Sequence, residues 1–329
     1  MTVHLHSFGH AHPEVEITNA FLEELDIGTS DAWIVDRVGI RSRRTVLPLS
    51  YIRDTRNQNP QASAEAATCN NSDLGARAAE LAIERAGIDR ADVGMLIAGG
   101  SVPDTLSPAE ACNIAGKLGL EVPAFDINSA CTSLFVPLHL LSAMQPGTMP
   151  PFILLVVTET LTRVTDYNDR RTAVLWGDAA AAAVVSTSEP GRAEVVGTSL
   201  NSSPAGREKV VIPRETFFWQ DGQAVHKFGI KRMAERIRGL QADYADPERP
   251  TFLVGHQANL RMLETVCKLC RISPEHHFYN VPEFGNTAAA GSPSVLSMNW
   301  DRWRSGDQIA VAGVGAGLTW GGYMLRFVR

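Results

Sequence analysis

Four short stretches of this chain are apolar throughout, and they constrain the fold more than any other feature. They span residues 93–98, 151–157, 179–185 and 309–314. Uninterrupted apolar runs of this length are typical of strands that helices cover on both faces. Stretches with the apolar spacing of a helix, such as residues 73–86, lie between them. Strands that alternate with helices predict a layered α/β fold.

The order of these elements occurs twice. A turn, a helix and two strands follow one another between residues 131 and 185, and the same order returns between residues 285 and 327. This repeat predicts two similar halves, residues 1–188 and 189–329. The join falls near the polar segment 188–191.

Composition excludes several classes of function. With 329 residues, 44% of them hydrophobic, the chain can bury a large core. The net charge of -6 argues against nucleic-acid binding. No apolar run approaches the roughly 18 residues of a membrane span, and the first residues lack the pattern of a signal peptide. The few cysteines fit reduced thiols, so we expect a cytoplasmic protein that binds neither nucleic acid nor membrane.

Two groups of residues resemble metal ligands. Cys267 and Cys270 form a CxxC pair, but the sequence around them has helical apolar spacing, which favours packing within a helix. His4 and His6 would share one face of a short strand, and a polar strand face is the preferred explanation for them. The sequence therefore predicts no bound metal.

Cys131 stands where an apolar run ends and a predicted helix, residues 134–144, begins. Unpaired N–H groups and the helix dipole at such a position favour the thiolate, the nucleophilic form of cysteine. A lone cysteine in apolar surroundings is more often a packing residue, so the position alone does not decide. Pro137 is expected to kink the helix.

Polar residues follow two further apolar elements. His256 and Asn259 come after one predicted strand, and Asn286 precedes an alanine-rich helix. Strand ends in α/β sheets are where ligands bind. A thiolate at Cys131 can take an acyl group from a thioester, with backbone N–H groups of the cysteine and of the turn 313–317 binding the oxyanion. A histidine and an asparagine can donate hydrogen bonds to the enolate left when a malonyl group loses CO2.

The chain resembles β-ketoacyl-acyl-carrier-protein synthase III and its relatives in the thiolase superfamily. The resemblance implies the duplicated five-layer α-β-α-β-α thiolase fold, a homodimer, and coenzyme A thioesters as substrates without a further cofactor. It rests on separate motifs in the family's order at residues 29–41, 124–131, 176–178, 255–261, 285–287 and 317–321.

The resemblance also implies catalytic roles. Cys131 is the acylated nucleophile, and the backbone N–H groups of Cys131 and Ala316 form the oxyanion hole. His256 and Asn286 assist decarboxylation of a malonyl thioester and stabilise its enolate. Asn259 supports the site behind the histidine. Ala316 replaces a usual glycine, which is compatible with the role because only a backbone N–H is needed.

Substrate-binding roles follow in the same way. Lys227 and Arg261 match basic positions that dock an acidic acyl carrier protein, and Lys231 and Arg232 extend the cluster along one predicted helix. A solvated helix face is the alternative explanation for this cluster. Three residues match positions that hold the adenine and phosphate end of coenzyme A: Trp33, Arg37 and Arg170.

Three departures from the family bear on the substrate. Leu106 stands where relatives place a phenylalanine that gates the acyl pocket across the dimer interface. Residues 46–72 read as a long polar surface excursion without a regular period, and residues 201–220 are shorter than usual. The sequence therefore favours a condensing enzyme of a specialised lipid or polyketide-type pathway. The alternatives are priming of fatty-acid synthesis with acetyl-CoA, acyl transfer to an alcohol or amine, and a non-catalytic partner subunit.

Overall fold

Strands and helices alternate along the chain in the computed structural model, which describes residues 2–145 and 147–329. Within these residues the strands are β1 (Val3–Ala11), β2 (Val15–Thr18), β3 (Ser42–Thr45), β4 (Val93–Gly99), β5 (Ala124–Asp126), β6 (Phe152–Thr160), β7 (Asp178–Ser186), β8 (Ala193–Ser202), β9 (Val210–Val211), β10 (Trp219–Gln220), β11 (Thr251–Gly255), β12 (Gln308–Gly315) and β13 (Thr319–Phe327). The α-helices are α1 (Asn19–Glu24), α2 (Asp31–Val38), α3 (Leu49–Thr55), α4 (Ala62–Ala66), α5 (Asn71–Ala86), α6 (Glu110–Leu118), α7 (Phe135–Ala143), α8 (Arg170–Ala173), α9 (Gly222–Tyr244), α10 (Leu260–Cys270), α11 (Val281–Phe284) and α12 (Gly291–Met298).

A nine-stranded sheet in the order β11-β12-β13-β8-β1-β7-β6-β4-β5 forms the framework. Alternate residues of its strands enter two different cores. Ile153 and Leu155 of β6 pack in the core around α7 and α12. Leu154 and Val156 point to the opposite face, which α5, α6, α9 and α10 cover. Helices α7 and α12 thus form a middle layer, and the predicted α-β-α-β-α fold is confirmed.

The strand pairing repeats within the sheet. Strand β7 is antiparallel to β1 and β6, and β4 runs parallel to β6. In the same pattern, β13 is antiparallel to β8 and β12, and β11 runs parallel to β12. Strands β1 and β8 join the two sets. This pairing supports the predicted halves 1–188 and 189–329, whose boundary stays a prediction.

Helix α7 begins just after the segment that carries Cys131. Cys131 lies in a 3-10 turn, Ala130–Thr132, and the helix predicted over residues 134–144 is observed as Phe135–Ala143. Pro137 is the third residue of α7. A proline in the first helical turn removes no intrahelical hydrogen bond, because N–H groups there have no acceptor within the helix. The expectation that Pro137 kinks the helix is therefore wrong.

The segment 46–72 differs from the irregular excursion expected from the sequence. It contains α3 and α4, and its last two residues begin α5. Asn57, whose side chain is fully buried, anchors it. The Nδ2 group of Asn57 lies 3.3, 3.0 and 2.9 Å from the carbonyl oxygens of Thr162, Arg163 and Thr165. The segment is therefore tied to the chain that follows β6.

Replacing Asn57 by alanine tests this anchor. Loss of the amide removes one donor from each of three carbonyl oxygens in a buried site, so we expect Asn57→Ala to lower the free energy of unfolding by about 1–3 kcal/mol. Urea denaturation measures the change. The exposed neighbour Gln58 offers a matched control, and Gln58→Ala should cost less than about 0.5 kcal/mol. Equal stability of the two variants would show that Asn57 is no anchor.

The two cysteines that resemble metal ligands in the sequence are packed inside the protein. Cys267 and Cys270 are buried in the packed face of α10, so their predicted packing role is confirmed. Among the described residues, no group of three or more His, Cys, Asp or Glu side chains is arranged to hold a metal ion. Within the same part of the chain, no helix combines the length and apolar character needed to cross a membrane.

Candidate active site

One cleft brings the predicted catalytic residues together. Its volume is about 520 Å³, and Cys131, His256, Asn286, Asn259 and Ala316 all line it. These residues come from both predicted halves of the chain, and each follows a strand or opens a helix. The carboxyl ends of β5, β11 and β12 therefore build the candidate site, as expected for an α/β sheet.

The Cys131 turn is held in an uncommon conformation. Ala130, directly before the cysteine, has a left-handed φ of 47°. Such backbone geometry in a residue with a side chain persists only where neighbours fix it, and it clusters at functional sites. Here the hydroxyl of Thr132 donates to the Ser129 carbonyl at 2.8 Å and contacts the Thr319 hydroxyl at 3.0 Å. The turn is thereby attached to the start of β13.

Burial raises the pKa of the Cys131 thiol, and the nearby Glu159 carboxylate raises it further, while the backbone N–H of Cys131 acts in the opposite direction. The thiol is therefore protonated at neutral pH in the free protein. The expectation of a ready thiolate is wrong, because desolvation outweighs the N–H groups of the turn. Attack by Cys131 consequently needs a group that accepts its proton.

His256 directly follows β11, and its side chain is buried. Its backbone N–H donates to the Ala312 carbonyl at 2.9 Å, which continues the pairing with β12. Burial lowers the pKa of His256 to about 4, and a hydrogen bond with the backbone of Ala288 acts in the opposite direction. The imidazole is therefore neutral at pH 7. A neutral imidazole has one nitrogen that accepts a proton and one that donates.

The orientation of Asn286 is set by its neighbours. Gly285 has a left-handed φ of 66°, and a Cβ there would meet the Arg43 side chain at 2.7 Å and the Leu175 carbonyl at 2.8 Å. Only glycine lets the chain pass at this point. The Oδ1 atom of Asn286 accepts a hydrogen bond from the Ala288 N–H at 2.9 Å. Since the oxygen is held there, the Nδ2 donor is left for the cleft.

The end of β12 lies against the Cys131 turn. A Cβ on Gly315 would be 3.1 Å from the Cys131 nitrogen, so the absent side chain leaves space beside this N–H. Ala316 follows and is not among the described residues with positive φ, so alanine fits there without strain. The close contact of Gly315 with the Cys131 nitrogen supports the oxyanion-hole role of Cys131 and Ala316, which stays a prediction.

Asn259 has a structural function of its own. Its side-chain oxygen accepts the Met262 N–H at 2.8 Å and caps the first turn of α10. Asparagine is a preferred residue at this position. Its predicted support of His256 stays a prediction.

The residues expected to hold coenzyme A lie close together. The guanidinium of Arg170 is 5.0 Å from the ring centre of Trp33, and that of Arg37 is 6.0 Å from it. Arg37 also lines the cleft, together with Arg171, which the sequence interpretation missed. Arg171 binds the Asp169 carboxylate through Nε and Nη2. The adjacent pair Arg170-Arg171 was the signal that could have identified it.

The residues predicted to dock a carrier protein fall into two groups. Lys227 and Lys231 are exposed on α9, and Lys227 lines the cleft. Arg232 lies over the Trp320 ring at 4.5 Å. Arg261 donates to the carbonyls of Val35 and Asp36, at the end of α2. The two lysines are thus presented to solvent, whereas both arginines have structural contacts. All four docking roles stay predictions.

Leu106 lies outside the cleft of its own chain. Its side chain is 77% exposed, in the segment between β4 and α6. This position is compatible with a gate that acts in the site of a second copy, and the role stays a prediction.

The fold and the site define an acyl-transferring condensing enzyme of the thiolase fold. Sequence profiles of 3-oxoacyl-[acyl-carrier-protein (ACP)] synthase III match residues 125–204 and, for the C-terminal part, residues 240–327. The chain is 32% identical to a β-ketoacyl-[acyl-carrier-protein] synthase III from Chlamydia caviae, over 96% of this chain and 94% of that protein. The chain belongs to the β-ketoacyl-acyl-carrier-protein synthase III family.

Two solved structures show the same similarity. The synthase III of Aquifex aeolicus superposes with a TM-score of 0.87 at 27% identity, and the match covers 99% of this chain and 100% of that one. The enzyme of Pseudomonas aeruginosa gives a TM-score of 0.85 at 29% identity, with 100% and 99% covered. The similarity therefore extends over both ends of the sheet and the cleft between them.

Proposed function

We propose that this protein condenses an acyl group, carried on Cys131, with a malonyl thioester. The observation that carries the proposal is the single cleft in which a cysteine faces a neutral histidine and an oriented asparagine amide. Acyl transfer to an alcohol or amine would need no second donor beside the histidine. The fixed Nδ2 group of Asn286 therefore favours condensation.

The first half-reaction loads the cysteine. Neutral His256 accepts the proton of the Cys131 thiol as the sulfur attacks the thioester carbonyl. The N–H groups of Cys131 and Ala316 stabilise the oxyanion. When the carbonyl re-forms, the bond to the coenzyme A sulfur breaks, and the departing thiol takes the proton from His256. The products are acyl-Cys131 and free thiol, with the imidazole neutral again.

The second half-reaction forms a carbon–carbon bond. A malonyl thioester loses CO2, and the electron pair of the broken bond becomes an enolate. In the tautomer that carries its N–H towards the cleft, neutral His256 donates a hydrogen bond to the enolate oxygen, beside the Nδ2 of Asn286. The enolate carbon then attacks the acyl carbon on Cys131, the bond from that carbon to the sulfur breaks, and the released thiolate takes up a proton from solvent. The product is a β-ketoacyl thioester.

A second cavity supports the choice of acyl group. It has a volume of about 210 Å³ and reaches Cys131. Its volume is several times the roughly 30 Å³ that one water molecule occupies in the liquid. The cavity therefore has more room than an acetyl group needs. We place the acyl chain there, which favours donors longer than acetyl. Most of its lining is apolar and includes Leu161, Trp176, Val210, Ile212 and Phe218.

The residues around the mouth of the cleft indicate the proposed partners. Lys227 and Lys231 would attract an acidic acyl carrier protein that brings the malonyl group. Arg37 and Arg170, beside Trp33, would bind the nucleotide end of coenzyme A. Exposed Leu106 would close the acyl cavity of a second copy in a homodimer.

A survey of acyl donors tests the proposal. The protein is incubated with acetyl-, butyryl- and octanoyl-CoA, and acyl-Cys131 is followed by intact mass. We expect butyryl or octanoyl transfer to be at least about tenfold faster than acetyl transfer, because longer chains fill the apolar cavity. Ile212→Phe, which fills the cavity, should slow octanoyl transfer and spare acetyl transfer.

Three results would contradict the proposal. Preferential loading of acetyl groups would show that the second cavity does not select longer acyl chains. No adduct with any donor, carrier-bound acyl groups included, would exclude the loading step itself. If an adduct forms but malonyl thioester releases no CO2, the acyl group passes to an alcohol or amine instead.

A further inference from the structure

Glu159 is a fully buried carboxylate at the end of β6 that neither half-reaction uses. One of its oxygens accepts the Ser101 N–H at 3.0 Å. The other accepts the Ser101 hydroxyl at 3.1 Å and the Ala289 N–H at 3.4 Å. Burial raises the pKa of Glu159 to about 7, and these hydrogen bonds act in the opposite direction. Burying a carboxyl group is costly unless hydrogen bonds compensate for the lost water, and here the Ser101 N–H, the Ser101 hydroxyl and the Ala289 N–H do so.

The turn that Glu159 contacts repeats the turn that carries Cys131. A 3-10 turn, Ala130–Thr132, precedes α7, and a second one, Ala288–Ala290, precedes α12. Each turn begins with an alanine at left-handed φ, 47° for Ala130 and 43° for Ala288. The end of β12 packs on the first turn, and the end of β6 packs on the second. Ala289 therefore takes the place of Cys131 in the second turn.

The two equivalent N–H groups have different surroundings. Beside the Cys131 N–H, the missing side chain of Gly315 leaves space that borders the cleft. The Ala289 N–H instead donates to the Glu159 carboxylate. A resident anion thus occupies, in the second turn, the place that the proposed oxyanion takes in the first.

Ser101 is brought to Glu159 by a close contact of two backbones. A Cβ on Gly100 would lie 2.2 Å from the Thr158 carbonyl oxygen and 3.7 Å from Cδ of Glu159. Only glycine permits this approach, and it places both donors of Ser101 on the carboxylate. The contact between the ends of β4 and β6 is therefore built into the backbone.

The second turn also orients the catalytic donors. The N–H of Ala288 fixes Oδ1 of Asn286, and the backbone of Ala288 hydrogen-bonds His256. We infer that Glu159 is a positioning residue: its carboxylate holds the 288–290 turn so that Ala288 presents the Asn286 and His256 side chains to the enolate. This inference rests on the proposed condensation and adds a residue that touches neither substrate.

Glu159→Gln provides the test. The amide replaces one acceptor oxygen by an NH2 group, so either Ser101 or Ala289 loses its backbone acceptor while the volume stays the same. We expect CO2 release from malonyl thioester to fall by about tenfold, because displaced donors stabilise the enolate less well. Loading of Cys131 should fall less, by no more than about threefold, because it uses only one of the two displaced donors, His256, and because its oxyanion hole lies in the other turn.

The matched control is Glu110, a glutamate that is 3% exposed and outside the cleft lining. Glu110→Gln should leave both half-reactions within about threefold of the wild type, whatever it does to thermal stability. A merely structural role of Glu159 would lower loading and CO2 release by the same factor in Glu159→Gln. That result, or no change in either rate, would overturn the inference.

A second variant, Ser101→Ala, tests the inference if Glu159→Gln does not fold. Ser101→Ala removes one donor to the carboxylate and keeps the backbone N–H. We expect CO2 release to fall by about threefold with loading unchanged, and equal losses would overturn the inference. Absence of CO2 release in the wild type would overturn both this inference and the proposed condensation. Normal release with no selective loss in the variants would overturn the inference alone.

Discussion

Replacement of Cys131 by alanine is expected to abolish the acyl adduct and to lower condensation by a factor on the order of 10³ or more. In the proposed mechanism the sulfur carries the acyl group between the two half-reactions, so its loss removes the covalent intermediate. Intact mass after incubation with acyl-CoA measures the adduct, and turnover with a malonyl thioester measures condensation.

Cys112 provides the control, because it is exposed and lies away from the cleft lining. Cys112→Ala should load acyl groups at the wild-type rate. Cys131→Ala should still release CO2 from malonyl thioester, since His256 and Asn286 remain in place. An adduct that persists in Cys131→Ala would show that another residue is the nucleophile.

Elements with a long regular pattern were predictable from the sequence. The stretch 73–86 has helical spacing over several turns and corresponds to α5, observed over Asn71–Ala86. The segment 46–72 was not predictable in the same way. Its helices α3 and α4 contain 7 and 5 residues, too few to show a helical period. Its anchor, Asn57, binds carbonyls more than 100 positions away, which no local pattern reveals.

The electrostatics of the site depend on packing that the sequence does not show. The position of Cys131 before a helix predicts a thiolate, because unpaired N–H groups and the helix dipole favour negative charge there. Burial and the Glu159 carboxylate instead raise the pKa of the thiol. The charge pattern of α9 predicts that Arg232 shares the docking role of the lysines on that helix. Trp320, a residue distant in sequence, lies beneath its guanidinium.

One missed residue did leave a signal in the sequence. Glu159 follows the apolar run 151–157 directly after a threonine, at the carboxyl end of a strand. A charged residue at that point matches the strand-end rule that indicates His256 and Asn259. Residue 159 lies outside every motif that carries the family resemblance, and its place in the sequence does not show that its side chain is fully buried.

His256 and Asn286 should separate the two half-reactions. We expect Asn286→Ala to lower CO2 release by a factor on the order of 10² and to leave loading of Cys131 within about threefold, because its Nδ2 donates only to the enolate. His256→Ala should lower both rates by a factor on the order of 10², since the imidazole also accepts the thiol proton. Rapid-quench measurement of each half-reaction tests this, with intact mass as the readout for loading.

The pH dependence of loading gives an independent check on His256. Burial lowers the pKa of His256 to about 4, so the imidazole stays neutral as the pH falls from 8 to about 5. The rate that depends on it should be constant over this range and should fall only as the pH approaches 4, where the histidine becomes protonated and can no longer accept the thiol proton. Because Glu159 has a pKa of about 7 and acts on the Cys131 thiol, the profile is also measured in Glu159→Gln. A break near pH 6.5 that persists in this variant would mean that His256 titrates with the ordinary pKa of a histidine, which would contradict the prediction.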